Sequence, residues 1–341
     1  MARPHTFHIG QQRTLFFPNG SLSDLSSILP GRRLVLITDQ HVYRKHQNAF
    51  SDFDTIVLRA GEQYKVQATI DSLVERLIQM EADRKTVLVG VGGGVVTDLV
   101  GYLAAIYLRG VDVGFVPTTL LAMVDASIGG KNGVDVGAFK NLVGTTRQPL
   151  FLLHDLTLLS TLPSREWSNG FAEIIKHAAI GDEAMFRELI KSDLKVYRND
   201  PVKLRRLIAR NVRYKFSVVQ QDVAENGERK KLNFGHTLGH ALEMQYELSH
   251  GEAISLGMMF AAHLSEKMNA FTGLSSLCAL LIRYGLPVKA GFSAAKVLQS
   301  LKMDKKRVRH SIDFVLLKRI GKAELRSIPI VKLQRFLKSY A

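Results

Sequence analysis

Three histidines are clustered in the second half of the chain, and two of them are four residues apart. His236 and His240 would share one face of a helix, which is the spacing that helical metal sites use, and His250 lies ten residues further on. Glu173 lies in an apolar, helix-like stretch, where a buried carboxylate needs a cation or a proton, and it could complete a zinc site. The pattern leaves open which two histidines would bind a metal and whether all three are ordinary helix residues.

A glycine-rich segment, residues 86–98, joins a predicted strand to a predicted helix. Its three consecutive glycines would let backbone N–H groups approach a pyrophosphate at the positive end of the helix. The spacing differs from G-x-G-x-x-G, and a glycine turn can be purely structural, so both interpretations stay open. Asp39, and Glu62 with Lys65, follow other predicted strands, where a carboxylate can bind ribose. Taken singly, a helix cap is the favoured role for each carboxylate.

Two further groups of polar residues suit an anionic ligand. Asn211 and Lys215 fall on the apolar stripe of a predicted helix, which costs stability unless something polar or anionic meets them. A lysine can instead extend outward to solvent. The segment 125–133, followed by Lys140 and Asn141, is rich in glycine and cations and suits a phosphate or a carboxylate, but a plain loop would look the same.

The elements that must position these residues change in type along the chain. Short β-branched runs alternate with amphipathic ones in the first half, which predicts a parallel α/β sheet, whereas helix-period segments dominate after residue 152. We predict an α/β domain with a parallel nucleotide-binding sheet at residues 1–152, and a mainly α-helical domain that contains the candidate metal ligands at residues 153–341. The active site is expected in the cleft between them. The predicted strands are residues 34–38, 55–58, 86–91 and 113–117, and the clearest helical stripes span 70–78 and 202–219.

Composition indicates a globular protein of two domains. The chain has 341 residues, 46% of them hydrophobic and 23% charged. No stretch approaches the roughly 18 to 20 apolar residues of a membrane helix, and the first ten residues lack the apolar core of a secretory signal, so no membrane association and a cytoplasmic location are expected. The single cysteine, Cys278, excludes an internal disulfide and fits a reducing compartment.

The net charge of +15 is concentrated in the second half. Residues 1–152 carry 15 Lys and Arg against 13 Asp and Glu, whereas residues 153–341 carry 31 against 18. Such an excess could attract nucleic acid or an anionic small molecule. Because the basic residues are scattered without aromatic residues among them, an acidic substrate or a solvated basic surface is favoured and no nucleic-acid partner is expected.

Several motifs, taken in order, resemble the 3-dehydroquinate synthase family of the sugar phosphate cyclase superfamily, from about residue 39 to about residue 306. Each motif alone is a weak signal. Their order along one chain makes chance agreement negligible. The motifs are G-G-G-V-x-x-D, P-T-T-L-L, V-D-A-S-x-G-G-K, K-N, L-N-F-G-H-x-x-G-H-A-x-E and H-G-E-A-x-x-x-G-M.

The resemblance implies a role for each matching residue. The implied metal is zinc or cobalt, held by Glu173, His236 and His250. The implied catalytic residues are Lys131, Asp125, Glu225 and His240, the last as a substrate and proton-relay residue and not as a ligand. The implied NAD contacts are Asp39, Glu62, Lys65, Gly93, Gly94, Asp98, Thr118, Thr119, Lys131, Lys140, Thr161 and Leu162. The implied substrate contacts are Arg109, Asp125, Lys131, Lys140, Asn141, Lys215, Arg229, Asn233, His240 and Lys306.

The implied reaction converts 3-deoxy-arabino-heptulosonate 7-phosphate into 3-dehydroquinate and phosphate. It would proceed by transient oxidation with NAD, β-elimination of phosphate, re-reduction and an intramolecular aldol closure, in an enclosed site of a homodimer. Three alternatives are another sugar phosphate cyclase, a metal-dependent alcohol dehydrogenase and a basic nucleic-acid-binding protein. His41, Thr146, Arg147 and His310 depart from the family pattern, which puts an adenosine contact and two flanking loops in question.

Overall fold

The computed structural model describes residues 3–137, 139–303, 307–308 and 310–340. The chain forms two compact units. The first unit contains Met1–Glu166 and Pro201–Val223, and the second contains Trp167–Asp200 and Ala224–Ala341. The predicted domains, residues 1–152 and 153–341, stay a prediction.

The first unit contains a mainly parallel sheet whose central strands are buried on both faces. All six residues of β5 are buried, as are five of the six in β3, because helices cover both sides of such a sheet. The four predicted strands are confirmed, with ends that differ by one residue. The strands of the first unit are β1 (His5–Ile9), β2 (Gln12–Phe17), β3 (Leu34–Asp39), β4 (Asp54–Leu58), β5 (Val87–Gly92), β6 (Asp112–Pro117), β7 (Lys131–Val136), β8 (Phe139–Thr146) and β9 (Phe151–Leu153).

The strand order brings three loop connections to one edge of this sheet. Seven strands lie in the order β1-β2-β9-β6-β5-β3-β4, and all neighbouring pairs except β1 with β2 are parallel. Thr38 pairs with Val91, and Gly92 pairs with Pro117, so β3, β5 and β6 end at the same level. The residues that follow these strands are therefore neighbours at the carboxyl edge, where open α/β sheets bind ligands.

The glycine- and cation-rich segment that begins at residue 125, for which a plain loop is one interpretation of the sequence, contains a β-hairpin. Strands β7 and β8 pair antiparallel, with Asn132 opposite Thr145 and Val134 opposite Val143. Glycines and cations dominate this stretch, which hid the alternation that identifies a strand. Strand β7 packs on the neighbouring helix at Gly101, where a Cβ would lie 2.1 Å from the side-chain oxygen of Asn132.

Thirteen α-helices occur among the described residues, and none of them combines the length and apolarity that crossing a bilayer requires. They are α1 (Leu25–Ile28), α2 (Gln40–His46), α3 (Gln67–Gln79), α4 (Gly94–Ile106), α5 (Ser164–Gly181), α6 (Glu183–Ile190), α7 (Leu194–Asn199), α8 (Pro201–Gln221), α9 (His236–Glu243), α10 (His250–Asn269), α11 (Leu274–Arg283), α12 (Ala294–Met303) and α13 (Ile330–Tyr340).

The stripe of α8 confirms that both of its polar residues face inward. Asn211 and Lys215 are buried together with the apolar residues of the stripe. Asn211 donates to the carbonyl of Leu207 at 2.8 Å, and Lys215 forms an ion pair with Asp125. Lys215 therefore does not extend to solvent.

The second unit contains a β-sheet that the helix-like reading of its sequence did not predict. Its strands are β10 (Arg307–Val308), β11 (Ser311–Arg319) and β12 (Lys322–Pro329), paired antiparallel. Ile312, Phe314 and Leu316 alternate inward on β11, but Val315 and Leu317 are also buried, so the alternation is lost in an apolar run. The hairpin shares one hydrophobic core with residues of α9, α10, α12 and α13.

Helices α9 and α10 approach so closely that glycine is required between them. A Cβ on Gly257 would lie 1.9 Å from the carbonyl oxygen of Gly235, and one on Gly239 would lie 3.0 Å from the carbonyl oxygen of Ala253. Each helix begins with one of the clustered histidines. The shared core and this close approach therefore hold two candidate metal ligands on a rigid pair of helices.

His154, which directly follows β9, is buried in the first unit. Neither ring nitrogen has a hydrogen-bond partner among the residues the structure describes, and the ring packs edge-on against Phe16 with centroids 4.8 Å apart. Burial lowers the pKa of His154 to about 3, because the charged form would lose its hydration. The imidazole is therefore neutral at neutral pH.

We expect His154 to make the protein sensitive to acid. A histidine in the unfolded chain has a pKa of 6.5, so the unfolded state binds more protons than the folded state between that pH and about 3. Stability should fall as the pH drops through this window, by up to about 1.4 kcal/mol per pH unit. His154→Phe should flatten this dependence in urea unfolding followed at neutral pH and at about pH 5. Parallel pH dependences of the two proteins would contradict the prediction.

Candidate active site

One carboxylate and two imidazoles converge within the second unit. Glu173 is fully buried on α5, His236 begins α9 and His250 begins α10. The Nε2 atoms of His236 and His250 lie 3.6 Å and 3.2 Å from the same oxygen, Oε1 of Glu173. One ligand atom from each of the three residues lies within 4.8 Å of the others. This donor set, two histidines and a carboxylate, is one that catalytic zinc takes, with a fourth position left for water or substrate.

The outer ring nitrogens of the two histidines face protein acceptors. Nδ1 of His236 lies 3.2 Å from the carbonyl oxygen of Phe234, and because a carbonyl oxygen can only accept, the ring nitrogen is the donor. Nδ1 of His250 lies 3.9 Å from a carboxylate oxygen of Glu243. Such outer partners select the tautomer and the ring orientation that a metal ligand needs.

Positive charge gathers around Glu173. Lys176, one turn further along α5 and also buried, forms an ion pair with its second carboxylate oxygen. Burial of His250 opposes protonation, but hydrogen bonds and charge from Glu173 and Glu243 outweigh it and raise the pKa of His250 to about 9. In the absence of a metal, a proton on His250 thus compensates the buried carboxylate, and a divalent cation would replace that proton.

His240 lies beside this cluster without belonging to its ligand set. It is half-buried one turn along α9, and its ring stands edge-on to that of His236 with centroids 5.2 Å apart. The structure thus brings Glu173, His236 and His250 together, the three residues that the family resemblance implies as ligands. Their role as ligands, and that of His240 as a proton relay, stay predictions.

Three more predicted residues lie in the segment that precedes α9. Asn233 donates from Nδ2 to a carboxylate oxygen of Glu225 at 2.8 Å, and Glu225 adopts a left-handed backbone conformation with φ of 58°. Arg229 lies in the 3₁₀ turn Glu228–Asn233 and is almost fully buried. A buried guanidinium and a fixed amide are groups that recognise a carboxylate or a phosphate.

The first unit places predicted cofactor residues at the carboxyl edge of its sheet. Asp39 ends β3 and caps α2 by accepting hydrogen bonds from the amides of His41 and Val42 at 2.8 Å and 3.1 Å. Gly93 lies between β5 and α4, and Gly94 begins α4, so that the amino end of α4 faces this edge. Thr118 and Thr119 follow β6 at the same level. This arrangement of glycine turn, helix end and strand-end carboxylate fits a dinucleotide.

A buried lysine connects several other predicted residues of the first unit. The Lys65 ammonium forms an ion pair with Asp98 and donates to the side-chain oxygen of Asn141 at 2.6 Å. Lys140 lies 3.5 Å from a carboxylate oxygen of Glu62. Burial alone would lower the pKa of Lys65, but Asp98 and Glu62 outweigh it and raise that pKa, so Lys65 is a cation.

Lys215 is held in place by the short turn that contains Asp125. Its ammonium donates to the Asp125 carbonyl at 2.6 Å and lies 2.8 Å from the Asp125 carboxylate. The turn, Ala122–Ala126, is π-helical, a geometry that is rare and is frequent at functional sites. A buried, doubly anchored lysine is pre-oriented for an anion.

Other predicted residues are more exposed. Arg109 follows Leu108 in a turn where both have positive φ, 66° and 48°, and its side chain faces solvent.

The remaining predicted contacts are also near the surface. Lys131 begins β7 and is exposed, and Leu162 is half-buried. The Thr161 hydroxyl lies 2.9 Å from Nε2 of His46. Lys306 lies outside the described residues.

The four residues that depart from the family pattern are at least partly exposed to solvent, and each is distant from Glu173 in the sequence. His41, Thr146 and His310 are exposed. Arg147 lies 4.0 Å from Asp112. Their consequence for cofactor binding or loop closure stays a prediction.

Sequence reasoning missed three residues around the cluster. It expected a cation for the Glu173 carboxylate but did not identify Lys176, although the i, i+3 spacing in an apolar helix is a usable signal. Glu243 ends the motif L-N-F-G-H-x-x-G-H-A-x-E, but the motif does not indicate that Glu243 faces Nδ1 of His250. Asn169, which hydrogen-bonds to the start of α10, carries no local signal, because its partners are 80 and 82 residues away.

Comparison with known families matches most of the chain to two adjacent domain models. Residues 55–169 match the 3-dehydroquinate synthase N-terminal model, and residues 170–307 match the 3-dehydroquinate synthase C-terminal model. A 3-dehydroquinate synthase from Solibacter usitatus (strain Ellin6076) is 42% identical over 275 residues, which are 79% of this chain and 77% of that protein.

Two solved structures share the fold over nearly the whole chain. A 2-deoxy-scyllo-inosose synthase complexed with carbaglucose-6-phosphate, NAD+ and Co2+ has a TM-score of 0.87 at 27% identity, covering 99% of this chain and 100% of that one. ValA, a 2-epi-5-epi-valiolone synthase from Streptomyces hygroscopicus subsp. jinggangensis 5008 with NAD+ and Zn2+ bound, has a TM-score of 0.84 at 28% identity, covering 94% and 93% of the two chains.

We expect Glu173→Gln and His250→Ala each to abolish retention of zinc, because each removes one of three ligand groups. Metal content after dialysis, measured by plasma mass spectrometry, checks this. His263→Ala is the matched control, since His263 lies on the same helix as His250 and contacts Glu266 at 3.8 Å. A fully metallated His250→Ala protein would overturn the ligand assignment.

Proposed function

Because the chain belongs to the 3-dehydroquinate synthase family, we propose that it converts 3-deoxy-arabino-heptulosonate 7-phosphate into 3-dehydroquinate and inorganic phosphate. The enzyme is a lyase of the shikimate pathway, which leads to the aromatic amino acids. Its redox step is reversed within each turnover, so that the net change is loss of phosphate and closure of a carbocycle. The observation that carries the proposal is the convergence of Glu173, His236 and His250 beside the buried Lys176 in a chain that matches both family models.

The cofactors are NAD and a divalent metal, zinc or cobalt. The two structural neighbours were solved with NAD+ and Co2+ or Zn2+, and the donor set of the second unit fits either metal. The glycine turn between β5 and α4 fits a pyrophosphate. When bound, NAD supplies a reversible hydride acceptor and the metal supplies a Lewis acid.

Residues of the second unit would bind the metal, stabilise negative charge on the substrate and transfer a proton. Glu173, His236 and His250 are the proposed ligands, oriented by the outer contacts of the two imidazoles. The Lys176 ammonium lies against Glu173 in a buried setting, where its charge acts at low dielectric and would stabilise a developing oxyanion of the substrate. His240 is half-buried next to His236, and we propose that it receives and returns a substrate proton.

Buried cations would bind the anionic ends of the substrate. Lys215 is fixed by Asp125, and Arg229 is buried close to the Asn233 and Glu225 pair in the sequence. Cations that are already fixed lose little side-chain entropy when they bind a carboxylate or a phosphate. More of the binding free energy is then available to orient the reacting carbons. Glu225 and Asp125 keep Asn233 and Lys215 in position.

These cations favour the dehydroquinate reaction over other sugar phosphate cyclase reactions, because the heptulosonate substrate carries a carboxylate as well as a phosphate. The sequence relative is 42% identical, whereas the cyclase structures are 27% and 28% identical. The excess of cations in residues 153–341 also suits an anionic small-molecule substrate, and no nucleic-acid partner is proposed. A cytoplasmic location is proposed from the single cysteine and the biosynthetic reaction.

We expect purified protein, given the heptulosonate phosphate with catalytic NAD and zinc, to release phosphate and dehydroquinate in equal amounts without accumulating NADH. Colorimetric phosphate, proton NMR of the product and NADH absorbance check these three points. Turnover only of a seven-carbon sugar phosphate that lacks the carboxylate would replace this proposal by another cyclase activity. Net NADH production would instead indicate an alcohol dehydrogenase.

We also propose that the enzyme is a homodimer, as the family resemblance implies. Three apolar side chains of β8 are exposed, Phe139, Leu142 and Val143, and an exposed apolar edge strand can pair with another chain, which supports a protein-contacting surface there.

Sedimentation should give about twice the chain mass of 38.0 kDa, and Leu142→Lys should shift the equilibrium towards monomer. Ile78→Lys, at an exposed apolar residue of α3, is the control. A dimer unaffected by Leu142→Lys would show that β8 is not the interface.

A further inference from the structure

Asn169 ties the helix that carries Glu173 to the start of the helix that carries His250. Its side-chain oxygen, Oδ1, accepts a hydrogen bond from the hydroxyl of Ser249 at 2.7 Å and another from the backbone amide of Gly251 at 3.0 Å. These two donors flank His250 on both sides. Asn169 thus holds the backbone on either side of a proposed metal ligand.

The orientation of the Asn169 amide is dictated by its partners. A backbone N–H can only donate, so the atom that faces Gly251 must be the amide oxygen and not the nitrogen. Asn169 is almost fully buried, and a buried acceptor that makes two hydrogen bonds is costly to remove. The contact is therefore specific for a side chain with an oxygen at this position.

The two helices meet here with no space for a larger residue. A Cβ on Gly251 would lie 2.5 Å from Cα of Asn169 and 2.7 Å from its Oδ1. Only glycine lets the backbone after His250 come within hydrogen-bonding distance of Asn169. The distance between α5 and the first turn of α10 is set by backbone contact as well as by hydrogen bonds.

The same serine also fixes the first turn of α10. Ser249 is its N-cap: the Ser249 hydroxyl accepts from the amide of Glu252 at 3.5 Å, and the Ser249 amide donates to the Glu252 carboxylate at 2.7 Å. The Ser249 hydroxyl therefore links the capping box to Asn169. The first turn of α10, which contains His250, is therefore held by contacts with α5.

Asn169 and Glu173 are four residues apart and so share one face of α5. We propose that Asn169 is a positioning residue for the metal site, which sets the distance and direction of His250 relative to Glu173 and thereby the affinity for a divalent metal. The inference rests on the proposed metal site and extends it to a residue that touches neither metal nor substrate. Ligand geometry matters here because small displacements of a ligand weaken a metal site strongly.

The test is the zinc affinity of Asn169→Leu, which keeps a similar shape and removes the acceptor. Competition with a chromophoric chelator should show affinity weaker by about 10- to 100-fold, the usual effect of losing an outer partner of a metal ligand. The visible absorption of the Co2+-loaded protein should change as well, because it reports the coordination geometry. Asn169→Asp, which retains the oxygen acceptor, should lie closer to the parent than Asn169→Leu in both measurements.

Asn269→Leu is the matched control. Asn269 ends the same helix, α10, and its side chain donates to the Leu317 carbonyl at 3.2 Å. Its replacement removes a helix anchor of the same chemical kind, so it should lower the melting temperature without weakening zinc binding. An equal loss of zinc affinity in both variants would mean that general loosening of α10, and not positioning by Asn169, is responsible.

The outcomes separate this inference from the metal site itself. The proposed metal site is wrong if the parent binds no zinc, or if His250→Ala binds zinc with the same affinity as the parent. If the parent binds zinc through His250 and folded Asn169→Leu binds it equally well, only the positioning role is wrong. Should Asn169→Leu fail to fold, Ser249→Ala removes one of the two hydrogen bonds, and unchanged zinc affinity in that variant would overturn the inference.

Discussion

The buried carboxylate of Glu173 is the constraint around which the second unit is organised. A charge without solvent must be met by positive charge or by a proton, and Glu173 is fully buried on α5. The structure meets it with Lys176 on one oxygen and with His236 and His250 on the other. Helices α5, α9 and α10, which carry these residues, must therefore pack close to one another. The close contact of α9 with α10, the capping of α10 and the core shared with the C-terminal hairpin all support this packing.

Local patterns in the sequence predicted the elements whose surroundings are simple. Buried parallel strands are apolar throughout, so the strands around Gly90 and Val113 were found with ends that differ by one residue. The helical stripe through Asn211 and Lys215 directed both residues inward, because helix periodicity depends on the helix alone, but it left open that Lys215 extends to solvent; both are buried. Asp39 serves as the cap that its position after a strand suggested.

What the sequence could not predict depends on contacts between distant segments. Hairpin β7–β8 was hidden by glycines, and β11 reads as an apolar run because both of its faces are covered. Spacing alone could not choose among three histidines. The structure brings His236 and His250 to one oxygen of Glu173, and the possible ligand group that these three residues form does not include His240. Asn169 acts across 80 residues, a distance over which no local signal exists.

Both clustered imidazoles stand at the first residue of a helix, His236 in α9 and His250 in α10. Backbone amides at such ends carry partial positive charge, equivalent to roughly half an elementary charge for a full helix. Two such dipoles and the Lys176 ammonium contribute positive charge beside the carboxylate, apart from any divalent ion. An alkoxide formed here would therefore be stabilised partly by the fold itself, and small anions, including the released phosphate, would compete for the same field.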